Sequence, residues 1–504
     1  MTSGVDTIAR RVFRIAKDDP LREAVVDASL RYSYRDLAQI IEASSEALVL
    51  AGLRPGFRAA FLGMPGAPFI ASTLAVQNAG GVWMGINPKY THDEIAYALR
   101  DGEPSIIFAE ARAGEAAIGR LTAAARTLQR VPPIVIVDSA RDLVDNLPPC
   151  ISPDQVLVNE IGLLVYTSGT TGEPKGACLT HRGIVAAADL YAERYAHPNL
   201  RSLLNLPVNH VGSLIDLTAS TLVMGGTLIA MPEFDPVAIP EVMEMERITL
   251  LGQVPAMHLA IEAATGYDPA DIASLKHLVW SGAAMPESWI RAHYGKGIEL
   301  STCYGQTECT GSVTFTSPDA DIHALAASIG RPARPQEFRI VPIDPGDTAG
   351  EIQVRGDMMM HGYLGRRSAT AEAMTRDGWL RTGDLGEMHD DGNIQIVGRL
   401  KEMYKSGGYN VYPREVEIAL EAHEAVQAAA VVSMPDPHWQ EVGWAFVIAK
   451  EDVATEELLS FARARLANFK LPKRLFIGQS FPLLPIGKID KRALKAAAEA
   501  GEYA

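Results

Sequence analysis

A loop rich in glycine and hydroxyl side chains follows an apolar stretch in the first half of the sequence and closes on a lysine. From Leu163 the chain reads LLVYTSGTTGEPKG. Glycines permit close approach of the backbone, N–H groups in such a loop form an anion-binding concavity, and hydroxyls and an ammonium add donors. The pattern predicts a loop that wraps a polyphosphate, whereas Gly-Thr-Thr-Gly alone would equally suit a polar turn without a ligand. The predicted phosphate-binding residues are Thr167, Ser168, Gly169, Thr170, Thr171, Gly172 and Lys175.

This loop differs from the common P-loop. That pattern has Gly before the lysine and Ser or Thr after it, whereas Pro174 precedes Lys175 here and Gly176 follows it. The sequence also lacks the G-x-G-x-x-G, G-x-S-x-G and H-E-x-x-H patterns of other enzyme classes.

The full string YTSGTTGEPKG resembles the signature of the acyl-adenylate-forming (ANL) superfamily, which includes acyl- and aryl-CoA synthetases, the adenylation domains of peptide synthetases, and luciferases. The resemblance covers most of the chain, from about Tyr32 to Leu494, because further segments follow in the family's order. These segments are LPVNHVGSL at 206–214, SGAAMPE at 281–287, YGQTE at 304–308, RTGDLG, GRLKEM, SGGYN and LPIGKIDK.

The resemblance implies a ligase that activates a fatty, aryl or polycyclic carboxylic acid with ATP and Mg²⁺ to an acyl adenylate. CoA then displaces AMP. The alternative keeps the adenylate but uses an amine acceptor, as an amide synthetase or stand-alone adenylation enzyme would. A catalytically silent scaffold of this fold is disfavoured, because Lys175, Glu308, Asp384, Arg399 and Lys488 are all present.

The resemblance also assigns the nucleotide site. Tyr304 would stack on adenine, Thr307 would contact the α-phosphate, and Glu308 would hold Mg²⁺ through a hard carboxylate oxygen. Asp384 would accept the ribose hydroxyls and Arg399 would contact the nucleotide. The adenine turn and the adjoining acyl pocket would include Ser281, Gly282, Ala283, Cys303, Gly305 and Gln306.

Two further residues are assigned to the reaction itself. Lys488 in PIGKID would relieve the charge that develops when a carboxylate attacks the α-phosphorus. His210 would gate the acid entrance sterically and by polarity, although an isolated histidine in an apolar segment is more often a core residue. Asn209 stands where relatives commonly have an aromatic residue. Asp216, six residues after the gate, resembles the amine-binding Asp of amino-acid adenylation domains in type only, because its flanks SLIDLTAS do not reproduce their pattern, and it is interpreted as an acid at the core edge or a helix start.

The C-terminal segments are assigned to domain movement and CoA. Lys401 resembles the family's hinge position, and Gly407 and Gly408 would let the backbone approach the pantetheine tunnel. Lys470, Lys473 and Arg474 form a basic cluster suited to the 3′-phosphate of CoA, or alternatively a solvated helix end.

The elements that must position these residues are indicated by the hydrophobic pattern. Up to about position 330, short β-rich runs alternate with helical stretches, which predicts parallel sheets covered by helices. Short alternating strands between Gly330 and Gly398 predict a β-rich subdomain. We therefore predict an α/β protein with a large N-terminal domain (1–398), a hinge (399–402) and a small mobile C-terminal α+β domain (403–504).

Composition limits the partners. The 504 residues carry a net charge of −15, so nucleic acid is not an expected partner. Four separated cysteines fit a reducing cytoplasm, and neither a signal peptide, a transit peptide nor a membrane-spanning run is predicted. The sequence leaves the identity of the acid and the oligomeric state open, with a homodimer among the alternatives.

Overall fold

A computed structural model describes residues 6–147, 160–167, 173–345, 348–407, 409–482 and 489–502. Strands and helices alternate through the first two thirds of the chain. The strands up to Arg399 are β1 (Glu23–Asp27), β2 (Leu30–Ser33), β3 (Arg58–Leu62), β4 (Val82–Ile86), β5 (Ile106–Glu110), β6 (Ile134–Val137), β7 (Ile161–Thr167), β8 (Lys175–Thr180), β9 (Arg201–Leu204), β10 (Thr227–Ala230), β11 (Leu250–Gln253), β12 (His277–Ser281), β13 (Glu299–Gln306), β14 (Gly311–Phe315), β15 (Arg331–Pro332), β16 (Glu337–Pro342), β17 (Gly350–Arg355), β18 (Gly362–Tyr363), β19 (Leu380–Met388) and β20 (Ile394–Arg399).

The α-helices in the same part of the chain include the amphipathic first helix that begins at Ile8. They are α1 (Ile8–Asp18), α2 (Tyr34–Leu50), α3 (Ala67–Asn78), α4 (His92–Gly102), α5 (Glu115–Ala125), α6 (Asp142–Asp145), α7 (His181–Arg194), α8 (Ser220–Val223), α9 (Ile239–Met245), α10 (Pro255–Thr265), α11 (Glu287–His293), α12 (Ile322–Ala327) and α13 (Arg367–Ala373). A π-helical segment, Gly212–Ala219, precedes α8. Short 3₁₀ turns lie at Ala111–Ala113, Pro269–Asp271 and Thr307–Cys309.

Two large sheets form the N-terminal part. One has seven strands in the order β18-β8-β7-β4-β3-β5-β6, and the other has nine in the order β15-β14-β13-β12-β11-β9-β10-β1-β2. The inner strands β3 and β5 are buried along their whole length, as expected for parallel strands with helices on both faces. In open α/β sheets ligands bind beyond the carboxyl ends of the strands, which here are the ends of β7, β12 and β13.

A four-stranded antiparallel sheet, β16-β17-β19-β20, follows the two large sheets. The remaining chain forms a smaller sheet with helices. Its strands are β21 (Tyr404–Ser406), β22 (Tyr409–Val411), β23 (Val426–Asp436), β24 (Gln440–Ala449) and β25 (Arg474–Gly478), and its helices are α14 (Pro413–Glu421), α15 (Thr455–Arg463) and α16 (Lys491–Glu499), with a 3₁₀ turn at Asn468–Lys470.

The predicted fold class is confirmed: a large N-terminal α/β part with a β-rich subdomain is followed by a small C-terminal part of strands and helices. The β-rich pattern between Gly330 and Gly398 corresponds to the four-stranded sheet, except that β15 joins the nine-stranded sheet and β18 the seven-stranded one. Among the described residues, no helix is both long and apolar enough to cross a bilayer.

Candidate functional site

The predicted phosphate loop connects the antiparallel strands β7 and β8. Thr167 is the last residue of β7 and pairs with Lys175, the first residue of β8. The hydroxyl of Thr167 donates to the carbonyl of Lys175 over 3.4 Å, and the hydroxyl of Tyr97 donates to the carbonyl of Pro174 over 2.6 Å. Both flanks of the loop are therefore fixed by the sheet and by α4. Ser168, Gly169, Thr170, Thr171 and Gly172 lie outside the described residues.

Tyr363 connects this loop to the predicted metal ligand. Its hydroxyl donates to Glu308 Oε1 over 2.7 Å, and the Lys175 ammonium lies 5.2 Å from the centre of its ring. Burial raises the pKa of Tyr363, so the phenol stays a proton donor. Tyr363 belongs to β18, which pairs with β8, and Glu308 follows β13 of the other large sheet. Sequence reasoning missed Tyr363, although its GYL context next to the β-rich segment was an available signal.

Asp384 lies at the centre of a second group that brings together four predicted nucleotide ligands. Tyr304 Oη donates to Asp384 Oδ2 over 2.7 Å, and Gln306 Nε2 donates to the same oxygen over 2.8 Å. Arg399 Nε lies 2.9 Å from Asp384 Oδ1. Asp384 is only 4% exposed, and its carboxylate raises the pKa of the Arg399 guanidinium. These three contacts orient the buried carboxylate of Asp384.

The turn after β12 and the end of β13 lie side by side. Ser281 pairs with Cys303 in register, and Gly282 adopts a left-handed φ of +83° at the turn, where it and Ala283 are exposed. Burial raises the pKa of the Cys303 thiol to about 12, so this cysteine is neutral at physiological pH.

Packing against a neighbouring strand explains why position 305 is a glycine, and the sequence did not indicate this. A Cβ at this position would lie 1.9 Å from the carbonyl oxygen of Gly311 on β14. The space beside Gly305 is therefore filled by the backbone of the neighbouring strand and is not available to an acyl group.

The predicted gate His210 is partly buried two residues before the π-helical segment, and its carbonyl accepts a hydrogen bond from Leu214 N over 3.0 Å. Asn209, the departure noted in the sequence, is 5% exposed and donates through Nδ2 to Tyr90 Oη over 2.9 Å. The amide therefore makes a polar contact next to the predicted gate.

The predicted hinge and the segment that contains Lys488 are joined by an ion pair. Lys401 is exposed in a turn, and Lys488 and Gly408 lie outside the described residues. Lys491, three residues beyond Lys488, places its ammonium 2.8 Å from Glu402 and 2.8 Å from Glu417. Although burial lowers it, the two carboxylates raise the pKa of Lys491 overall. The motif LPIGKIDK contains Lys491, but the sequence analysis assigned a role only to Lys488 and did not predict these ion pairs.

Gly407 lies against an aromatic and basic surface of the small C-terminal part. Its N–H donates to the carbonyl of Trp439 over 2.9 Å, and a Cβ there would come within 2.7 Å of the indole. The ammonium of Lys473 lies 5.0 Å from the Trp439 ring centre. Phe469 stacks on exposed Tyr409 with centroids 4.5 Å apart. We call Tyr409, Trp439, Phe469 and Lys473 the basic–aromatic face.

The predicted basic cluster is only partly available for an anion. The ammonium of Lys470 pairs with Glu415 at 2.5 Å, whereas Lys473 and Arg474 are exposed cations over the indoles of Trp439 and Trp444. Lys473 and Arg474 are therefore better placed than Lys470 to meet a phosphate.

Glu308 fits the role of a magnesium ligand. Its carboxylate is partly exposed beside Lys175 and Tyr363, and carboxylate oxygens are the hard ligands that Mg²⁺ prefers. Among the described residues, no group of three or more His, Cys, Asp or Glu could enclose a metal.

Comparisons with known proteins agree with this geometry. Residues 12–364 match the family described as AMP-binding enzyme, and residues 415–488 match the AMP-binding enzyme C-terminal domain. A feruloyl-CoA synthase from an Amycolatopsis species is 35% identical over 95% of this chain and 96% of its own. The ATP-bound structure of MatB from Rhodopseudomonas palustris superposes with a TM-score of 0.85 at 26% identity, over 97% of this chain and 98% of that one.

The alternative acceptor also has a structural relative. The amide bond synthetase McbA from Marinactinospora thermotolerans superposes with a TM-score of 0.83 at 28% identity, over 97% of this chain and 99% of that one. Curated relatives that are 31 to 35% identical include a feruloyl-CoA synthase, a long-chain-fatty-acid–CoA ligase and an indoleacetate–CoA ligase. The chain belongs to the AMP-binding enzymes, in the CoA synthetase branch of the acyl-adenylate-forming superfamily, and is an AMP-forming acid–CoA ligase that uses ATP, Mg²⁺ and CoA.

Proposed function

We propose that two residue groups, one around Asp384 and the other around the phosphate loop and Glu308, divide the ATP molecule between them. Asp384, oriented by Tyr304, Gln306 and Arg399, binds the adenosine end, since an ionised carboxylate is an acceptor for ribose hydroxyls. The Thr167–Lys175 loop binds the phosphates. Thr307 lies next to Glu308 in the turn after β13 and contacts the α-phosphate from there.

Adenylation in this proposal is mainly electrostatic. A carboxylate oxygen bonds to the α-phosphorus while pyrophosphate leaves with the electron pair, so two anions must approach each other. Lys175 and Lys488 lower that repulsion with their ammonium groups. Mg²⁺, when bound, neutralises phosphate charge, and Glu308 is the residue that holds it, with Tyr363 orienting the carboxylate.

The basic–aromatic face is the observation that carries the choice of CoA over an amine as the acceptor. Exposed rings offer stacking surfaces for a base, and a cation beside them suits a phosphate. A cavity of about 340 Å³ lies at its edge, lined by Tyr409, Phe469, Lys470, Asn410, Tyr412, Asp344, Thr348 and Ala349. An amine acceptor has no use for such a face, whereas the nucleotide end of CoA has both a base and phosphates.

The predicted domain division and hinge are part of the same proposal. Lys488 and the Gly407–Gly408 segment belong to the same small part of the chain but serve different half-reactions, so residues 403–504 rotate about 399–402 on residues 1–398. The backbone at Lys401 absorbs the rotation because it is an exposed turn. Arg399 to Asp384 and Lys491 to Glu402 are ion pairs on either side of that turn.

The remaining assignments concern access and location. His210, two residues before the π-helical segment, gates the acid entrance. Buried, unpaired Cys178, Cys303 and Cys309 support a cytoplasmic enzyme, because thiols persist in reducing compartments. A homodimer stays a prediction of the sequence.

The proposal is tested by comparing CoA with dephospho-CoA as acceptors for a preformed acyl adenylate. We expect the wild-type enzyme to favour CoA, and Lys473→Ala to reduce that preference by about tenfold, since a charge-assisted contact is worth about 1.5 kcal/mol or more. Trp439→Ala should weaken both acceptors. Lys450→Ala, an exposed lysine elsewhere on the small part, is the matched control. Equal use of CoA and dephospho-CoA by the wild type would refute this binding face.

A further inference from the structure

Asp216 is a carboxylate that the proposed mechanism does not use. It lies in the π-helical segment Gly212–Ala219 and contacts β14, which runs beside the end of β13. Ser312 Oγ donates to Asp216 Oδ2 over 2.9 Å, and Ser312 N donates to Oδ1 over 3.3 Å. Segments of π-helix are rare and often occur at functional sites, because the wider turn moves side chains out of the regular helical pattern.

Asp216 lies closer in the chain to the residues assigned to the carboxylic acid substrate than to those assigned to the nucleotide. It follows the gate His210 by six residues in one continuous segment. Its partner Ser312 pairs with Gly305, in the same strand as Tyr304, and the Ser312 hydroxyl lies 3.3 Å from Cys303 Sγ. The carboxylate therefore lies between the gate segment and the strand end that leads to the Thr307–Glu308 turn.

The backbone of Gly311 comes close to one side of this carboxylate, and the Asp216 residue keeps some exposure to solvent. Gly311 faces it with φ of +129°, and a Cβ there would come within 2.8 Å of Asp216 Oδ1. Although Ser312 is only 4% exposed, Asp216 keeps partial exposure. An ionised carboxylate has about four acceptor positions, and Ser312 fills two of them.

Burial gives Asp216 an unusual titration. It raises the pKa of the carboxyl to about 7, against the two hydrogen bonds from Ser312 that lower it. A charge in such a place is costly unless further donors satisfy it. A ligand that supplies a donor would therefore gain more from Asp216 than it would from a carboxylate in water.

We propose that Asp216, positioned by Ser312, is a specificity-determining residue that selects carboxylic acids carrying a hydrogen-bond donor, a hydroxyl or ring N–H, on the acyl body. The inference rests on the proposed ligase function and names the chemistry of its acid. Acids that lack the donor leave the carboxylate unsatisfied and bind more weakly, because a site built to accept a hydrogen bond rejects the analogue that cannot donate it.

A structural role is the competing explanation. Asp216 would then only fix Ser312 and β14, and its loss would reduce the activity toward all acids alike. The two roles are distinguished by the ratio of kcat/KM for an acid with the donor to kcat/KM for its matched acid without it. Loss of structure lowers both values equally and leaves the ratio unchanged.

The experiment measures acyl-CoA formation at pH 8, where Asp216 is largely ionised. Matched pairs of acids differ in one donor: 4-hydroxycinnamate and cinnamate, indole-3-acetate and 1-naphthylacetate, 12-hydroxydodecanoate and dodecanoate. The pairs distinguish a ring hydroxyl, a ring N–H and an alkyl hydroxyl as the source of the donor. We compare the wild type with Asp216→Asn, Asp216→Ala and Ser312→Ala.

We expect the wild type to favour the donor-bearing member of at least one pair by about tenfold or more, corresponding to about 1.4 kcal/mol. Asp216→Ala should abolish that preference through KM while the acid without the donor keeps its kcat/KM. Asp216→Asn, which keeps shape and one acceptor oxygen, should retain part of the preference, and it carries the test if the alanine variant does not fold. Ser312→Ala should weaken the preference less than Asp216→Ala.

Two results would overturn the inference. One is a wild-type enzyme that uses donor-free acids as well as their partners in every pair. The other is an equal loss for both members of the favoured pair in the Asp216 variants. Both results leave the ligase function intact, whereas absence of acyl-CoA and AMP with every acid would contradict the proposed function itself.

Discussion

Tyr363 Oη lies 2.7 Å from Glu308 Oε1, and the same ring lies under the ammonium of Lys175. One side chain therefore contacts the cation of the phosphate loop and the proposed metal ligand, which come from different sheets. Tyr363→Phe removes only the hydroxyl, so Glu308 loses its orienting donor while packing is retained. We expect the Mg²⁺ concentration for half-maximal adenylation to rise by about three- to tenfold, since one hydrogen bond to a charged group is worth about 1 kcal/mol or more.

The measurement is pyrophosphate exchange over a Mg²⁺ titration, with Mn²⁺ binding to the enzyme–nucleotide complex followed by EPR as a readout independent of turnover. Glu308→Gln should shift the requirement further in the same direction. Tyr294→Phe, at an exposed ring, is the control. An unchanged Mg²⁺ requirement in Tyr363→Phe would show that the Tyr363 hydroxyl does not orient Glu308 for metal binding.

Asp384 should determine the affinity for ATP. Asp384→Asn keeps the shape, but it removes the charge paired with Arg399 and places an NH₂ donor near Tyr304 and Gln306. Loss of a buried charged partner costs about 3 to 5 kcal/mol where nothing replaces it. We expect the Kd for ATP to rise by at least tenfold in fluorescence titration and the melting temperature to fall. Unchanged ATP affinity would contradict the ribose assignment.

Glu402 should matter for adenylation more than for transfer to CoA. Its ion pair with Lys491 joins the hinge to the residues just after Lys488. Glu402→Gln removes the charge but not the volume, so we expect Lys488 to reach the reacting atoms less often and adenylation to slow by about three- to tenfold. Capture of a supplied adenylate by CoA should stay near the wild-type rate. Glu457→Gln, at an exposed side chain, serves as control, and equal slowing of both half-reactions would argue against the assignment.

Asp216 should make stability depend on pH. Because burial raises its pKa from 3.8 to about 7, the folded protein binds more protons than the unfolded chain between those values. The free energy of unfolding therefore falls as pH rises from about 4 to about 7. Above that range this group causes no further change, because it is ionised in both the folded and the unfolded state.

Asp216→Asn removes this titration. We expect the variant to match the wild type near pH 4.5 and to become more stable by about 2 to 4 kcal/mol at pH 8, seen as a rising difference in urea midpoint. A difference that is constant with pH would show that Asp216 titrates in its ordinary range.

The local motifs could be predicted from the sequence because each lies within one turn or strand end. Thr167 pairs with Lys175 at the flanks of the loop, and Tyr304 contacts Asp384, whereas the ligands of these residues stay a prediction. Contacts between distant segments could not be predicted. Tyr363 and Glu308 are 55 residues apart, and Asp216 and Ser312 are 96 apart, so strand order and register bring them together.

Charge pairing was the other feature hidden from the sequence. Lys470, Lys473 and Arg474 are close in the sequence, but Glu415, which neutralises Lys470, lies 55 residues earlier. Gly305 is explained by the backbone of a neighbouring strand rather than by a substrate. Residue type therefore indicated the chemistry of the site, while partners and available space depended on the tertiary structure.

The central claim is that this enzyme makes an acyl adenylate and then passes the acyl group to CoA. Rapid-quench kinetics with enzyme in excess over an accepted acid and radiolabelled ATP follow both steps in one experiment. We predict that, without CoA, pyrophosphate and enzyme-bound acyl adenylate form in equal amounts and persist. Addition of CoA should then release one AMP per acyl-CoA, faster than any amine at the same concentration. Formation of ADP, or an amide formed faster than the thioester, would contradict the account.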